Sequence, residues 1–412
     1  MNISTGFAPE FRLIVPFFKI GVIVYLFCNL LLFKFNVQTL HNLDITVLSW
    51  VHLFLLGFVM MIILGAMAQL IPVVLEVEHF AVDLYYVIYP LLFIGTLLMV
   101  LGFVKYPLLL PFGGVVAFIS FCIFLLETFL TILKVKKFNF VISTVLIANL
   151  FLLFGLIVGI LLALSYSGFL DINIDNLLKI HIYCVLFGYV GITIIGMSLI
   201  LLPMFWLSHS FSWIYVKSSV VILCIGIIFI SLASIFNSVI LEYFAYFLNF
   251  IALFLYFYQI YIIYKKRVRI EVDIYFKSML FSFLTLICSI ILGIVYIFYP
   301  TQELLLGIFW LVFAGFISFI IIGHLYKIVP FLVWFQRFSP LVGKRKVPML
   351  AQMIPVRSAN FQFFFTTIGV LVITISIFSG LDILFKSGVS FLLIGTIFLI
   401  KDVFYMINFK EE

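Results

Sequence analysis

Six histidines, His41, His52, His79, His181, His209 and His324, are the residues of this sequence best suited to chemistry. Imidazole exchanges a proton near neutral pH and, when neutral, ligates a metal ion or haem iron through one ring nitrogen. Two of the six head long apolar runs: HLFLLGFVMMIILGAMAQLIP begins at His52, and HIYCVLFGYVGITIIGMSLILLP begins at His181. An imidazole inside a membrane needs a partner. Iron or another metal supplies one; a hydrogen bond to a neighbouring helix supplies the other. His324 stands three residues before Lys327, so the two share roughly one helix face. They read either as a polar pair lining a pore or as a lysine snorkelling to the helix end. His41, His79 and His209 fall in loops or at helix ends. Glu127, near the end of an apolar run, reads as an interfacial group or as a proton-relay residue.

The helices that must hold these side chains carry an internal repeat. Gly57, Gly65 and Pro72 recur as Gly188, Gly196 and Pro203, and again as Gly315, Gly323 and Pro330, with identical spacing. An aromatic follows the first glycine each time, as Phe58, Tyr189 and Phe316. The three runs lie four spans apart. That predicts a pseudo-threefold ring of three four-helix arcs, with the second, sixth and tenth spans equivalent. The small residues at Gly57, Gly188 and Gly315 let a helix, or a flat ligand, come close to the backbone. Proline near the helix end frees a carbonyl and bends or stops the helix. His52 and His181 differ by two residues in their offset from the repeat glycine, which turns one relative to the other by ~200°.

Composition sets the solvent. Of 412 residues 66% are hydrophobic and 9% charged, against about 25% charged in a soluble domain. Apolar runs of this length are helical spans rather than barrel strands. Spans are expected near 13–35, 46–73, 84–104, 107–132, 139–167, 177–205, 211–236, 239–264, 275–299, 303–336, 360–380 and 385–408. The chain reads as an all-α polytopic membrane protein, a single transmembrane domain over 1–412, with repeats at roughly 13–132, 139–264 and 275–408. Its net charge of +7 is no nucleic-acid signature. The basic residues gather in short loops, as at Lys134, Lys136 and Lys137, at Lys265, Lys266, Arg267 and Arg269, and at Lys344, Arg345 and Lys346. The positive-inside rule then puts both termini in the cytoplasm of a prokaryotic inner membrane, with Trp50, Trp206, Trp213, Trp310 and Trp334 in the aromatic belts. Cys28, Cys122, Cys184, Cys224 and Cys288 lie in apolar runs without CxxC spacing, and read as buried thiols. No Walker loop, HExxH, GxSxG or GxGxxG is present.

Twelve spans in three arcs, with His52 and His181 at the outer ends of spans two and six, resemble the catalytic subunit of haem-copper oxidases. The likeness is strongest to the C-type cytochrome c oxidase and nitric oxide reductase branch, and the stretch IGMSLILLPMFWLSH resembles the family's sixth span and following turn. The resemblance implies that His52 ligates a haem b and His181 a copper ion. It implies an oxidoreductase, working with other respiratory-chain subunits or a cytochrome as well as the lipid bilayer. The sequence departs from the family at its remaining ligands: Ile308 and Trp310 stand where the tenth span brings two histidines, and residues 211–236 hold no histidine pair. Three readings follow. The first is a haem protein for electron transfer or for binding O2 or NO, with His52, His181 and His324 as metal candidates and Gly57, Gly188 and Gly315 lining the cofactor. The second is a cofactor-free transporter or an assembly factor. The third is a structural subunit of a respiratory complex.

Overall fold

The computed structural model describes residues 7–42 and 44–410. Twelve helices are long and apolar enough to cross a bilayer. They are α1 (Phe11–Lys34), α2 (Val47–Leu75), α3 (Val82–Val104), α4 (Leu109–Ile132), α5 (Phe140–Tyr166) and α6 (Ile174–Trp206), then α7 (Ile214–Phe236), α8 (Val239–Lys265), α9 (Ile274–Phe298), α10 (Gln302–Arg337), α11 (Val356–Ser379) and α12 (Asp382–Ile407). No β-strand occurs among the described residues; Ser208 and Arg267 form an isolated bridge. The protein is therefore an all-α multi-pass membrane protein.

Local sequence explains where several of these helices begin and end. Asn139, Asn173, Asp273 and Thr301 accept the backbone N–H three residues on, capping α5, α6, α9 and α10. Asn237 and Gly380 take left-handed conformations that stop α7 and α11. Before α2, Asp44 accepts the Thr46 N–H, and that hydrogen bond holds its carboxyl below the usual carboxylate range.

Contacts divide the chain into two compact units. One comprises Pro72–Leu84 and Pro107–Glu271, and so holds α4 to α8; the other comprises Ala8–Ile71, Tyr85–Tyr106 and the chain from Val272 onward, and holds α1, most of α2, α3 and α9 to α12. The sequence repeat has a structural counterpart inside these units. In the most apolar stretches of α2, α6 and α10, 67%, 67% and 78% of residues are buried, against 22% in α8 and α9. The three repeat-bearing helices are thus the core ones. Each also contains a π-helical segment, Leu53–Met60, Tyr183–Gly191 or Leu311–Ile317, and each segment carries the first repeat glycine. A π segment interrupts the regular helical ladder and often marks a functional position. In α10, hydroxyls take up carbonyls of this region: Ser318 donates to Phe313 O, and Ser282 of α9 to Phe316 O.

Glycines also bring α11 and α12 together. A Cβ on Gly388 of α12 would lie 3.0 Å from Ile373 N and 3.1 Å from Gly369 O in α11. Backbone atoms cannot swing aside, so Gly388→Ala must push the helices apart. We expect it to cost about 1–3 kcal/mol, seen as a lowered melting temperature in detergent. Gly293→Ala, where nothing lies within 4 Å, should leave that temperature unchanged or raise it.

Candidate functional site

The three histidines singled out from sequence sit on the core helices in three different settings. His52 Nδ1 donates to Leu48 O of its own helix at 2.9 Å, and its ring lies 4.8 Å from Phe103 of α3. His181 Nδ1 donates to Gly155 O of α5 at 2.8 Å, with its ring against Gly159, where an added Cβ would come within 2.8 Å of Cε1. His324 Nδ1 donates to Ile320 O at 2.7 Å, and its ring meets Tyr275 of α9 edge-on at 5.2 Å. A carbonyl only accepts, so each neutral imidazole carries its proton on Nδ1. His52 thus faces α3, while His181 faces α5, as the two-residue offset between them leads one to expect.

The repeat glycines face helices. An added Cβ on Gly57 would meet Val24 of α1, on Gly188 Phe151 of α5, and on Gly315 Thr285 of α9, each within 2.5–2.6 Å. The second glycines repeat the pattern: Gly65 abuts Phe17, Gly196 abuts Thr144 and Gly323 abuts Ser278. The Gly-x7-Gly face therefore lets α1, α5 and α9 pack tightly on α2, α6 and α10. Three helix pairs of the same kind are built from the same spacing.

The residues present do not fit a haem between α2 and α10. Trp50 of α2 lies 5.9 Å from Trp310 and 6.3 Å from Phe313, and stacks on Phe54 at 5.3 Å; Phe54 in turn stacks on Phe313 at 5.8 Å. Trp310 Nε1 donates to Val370 O of α11. This aromatic block fills the contact between the two helices, while the His52 ring packs on α3. Trp50 and Trp310 are 7% and 6% exposed, so they belong to the core rather than to an interfacial belt. His181, turned to α5, has no cluster around it: among the described residues no group of three His, Cys, Asp or Glu side chains could hold a metal ion. All five cysteines are free; Cys28 and Cys184 are buried, whereas Cys288 is exposed on α9.

Ionisable groups come together elsewhere. In one unit, His79 donates Nδ1–H to Glu127 Oε1 at 2.7 Å, with the two side chains 4% and 0% exposed. Thr131 donates to the same oxygen, Phe80 N–H donates to Thr131, and Lys134 Nζ donates to His79 O. The loop after α2 is thereby folded onto α4, and Glu127 is fully buried near the end of that helix. In the other unit, Lys327 pairs with Asp273, the capping residue of α9, at 2.6 Å and lies over the Tyr275 ring at 5.6 Å. His324 and Lys327 thus share a face, as their spacing predicts, and that face meets Tyr275. Tyr326 donates to Asp402 Oδ2 at 2.7 Å, both residues being fully buried. Asp402 and Asp273 were not legible as site residues from spacing; the available signal was an acidic side chain in or at the edge of an apolar span.

No family model and no curated protein matches the chain.

Proposed function

We propose that this protein is a proton-translocating membrane transport protein without a resident redox centre. What carries the reading is the burial of ionisable groups in and beside apolar helices, above all Glu127, fully buried in α4 and paired with His79 of the loop after α2. A buried carboxylate is costly in a membrane and marks an ion or proton pathway. The aromatic packing of Trp50 and Phe54 against Trp310 and Phe313 weighs against the haem reading and for the cofactor-free one. On this reading the twelve helices serve as a scaffold for transport, and the inner membrane of a prokaryote is the setting that the loop charges favour.

The test reconstitutes the full chain in liposomes containing a pH-sensitive dye and drives proton entry with a potassium diffusion potential. Protein-dependent acidification is expected, falling to the level of empty liposomes in Glu127→Gln. A pyridine haemochrome spectrum and metal quantification on the same preparation should show no stoichiometric haem b or copper. Near-stoichiometric haem would overturn the reading and restore an electron-transfer or gas-binding role, with His52 and His181 as the first ligands to replace. No acidification above empty liposomes would also overturn it.

A further inference from the structure

Asp402 lies on α12, five residues before that helix ends, and no part of it is exposed. Its Oδ2 accepts from the Tyr326 hydroxyl of α10, while its Oδ1 has no partner. Ser358 of α11 is beside the carboxyl, and its hydroxyl oxygen also lacks a partner. Among the described residues no cation pairs with the carboxyl: Lys401, on the same helix, lies over the Phe398 ring and acts on the carboxyl only through space, and Lys19 of α1 lies over Phe404. An ionised carboxylate in this setting would be a buried charge held only by two neutral hydroxyls, those of Tyr326 and Ser358, which is expensive. A protonated one carries no buried charge, and its Oδ1 proton can be donated to Ser358 Oγ.

The polar groups continue from there. One turn along α11, Gln362 donates Nε2–H to Thr366 Oγ1 at 2.9 Å, and its Oε1 is a third buried oxygen without a partner. Thr366 abuts Gly395 of α12, and the next residue, Thr396, accepts from Asn29 of α1 at 2.8 Å. A seam of hydroxyls and amides so runs through helices that are otherwise apolar, with the carboxyl at its end.

We propose that Asp402 is a proton-binding site, holding its proton on Oδ1 towards Ser358 and exchanging it with water along this seam. Ionisation releases the proton to water and leaves a carboxylate held by Tyr326 and Ser358; reprotonation reverses the step. The site takes its purpose from the transport reading, but its protonation is a separate matter.

Infrared difference spectroscopy on the purified full chain, at neutral pH in H2O and D2O, reads it directly. The wild type should show the carbonyl stretch of a protonated carboxylic acid, sensitive to D2O, lost in Asp402→Asn and moved in frequency in Ser358→Ala. Asn is nearly isosteric, and the Ser358 variant leaves the carboxyl in place, so one of the two remains informative if the other fails to fold. Absence of the band in the wild type, or its persistence unchanged in Asp402→Asn, overturns the proposal. A band that appears only when sodium is removed overturns it in favour of a bound cation. The band without any proton flux in liposomes would leave the site standing and sink the transport reading alone.

Discussion

His79→Leu is expected to cost about 3–5 kcal/mol of stability, because it leaves the Glu127 carboxylate buried without its imidazole. His79 and Glu127 are 2.7 Å apart and almost entirely enclosed, so little solvent is at hand to replace the lost partner. Glu127→Leu removes the charge itself and leaves a neutral imidazole short of one hydrogen bond, a smaller loss of about 1–3 kcal/mol. The double variant should be less damaged than His79→Leu alone, since replacing both members of a buried pair is often close to neutral. A double-mutant cycle followed by denaturant titration in mixed micelles measures this. The expected coupling is about 2 kcal/mol or more. Additive single effects would mean that the two groups do not depend on each other, and the contact would then be no basis for a relay.

The twelve spans and the triple Gly-Gly-Pro register were readable because both are local. Apolar length and fixed spacing need no knowledge of what lies across the helix. The same locality explains the caps at Asn139, Asn173, Asp273 and Thr301, whose partners lie three residues on. The π segments were not readable, although the spacing located the glycines they contain, since spacing gives a position and not a hydrogen-bond ladder. Nor was the division into two units, which depends on contacts between distant segments. His79 and Glu127 were each visible as residues, yet 48 positions separate them, and only the path of the loop after α2 joins them. Asp402 meets Tyr326 across 76 positions. Trp50 and Trp310 show the opposite difficulty. A tryptophan near a helix end suggests an interfacial anchor, but a second tryptophan on a facing helix turns it into core. Pairing across helices decided each of these cases.

Trp310→Ala is expected to be the most destabilising single change in the aromatic block, at about 3–5 kcal/mol. The ring is 6% exposed and contacts Trp50, while its Nε1–H donates to Val370 O at 3.2 Å. Inside a bilayer the driving force is packing rather than escape from water, so the cost comes chiefly from the cavity and lost dispersion contacts. Trp310→Phe keeps a ring and most of the volume; it should lose only about 0.5–1.5 kcal/mol, since Val370 O retains the Thr374 hydroxyl as donor. Trp310→His is the discriminating variant, because it places an imidazole where the resemblance to the oxidase family would call for one. If the space between α2 and α10 is closed by Trp50, Phe54 and Phe313, that imidazole gains no iron. Purified Trp310→His should then be less stable than the wild type and show no Soret band after growth with added haem. A stoichiometric Soret band would mean that one aromatic ring alone had kept the haem out, and that the oxidase resemblance extends to a latent cofactor site.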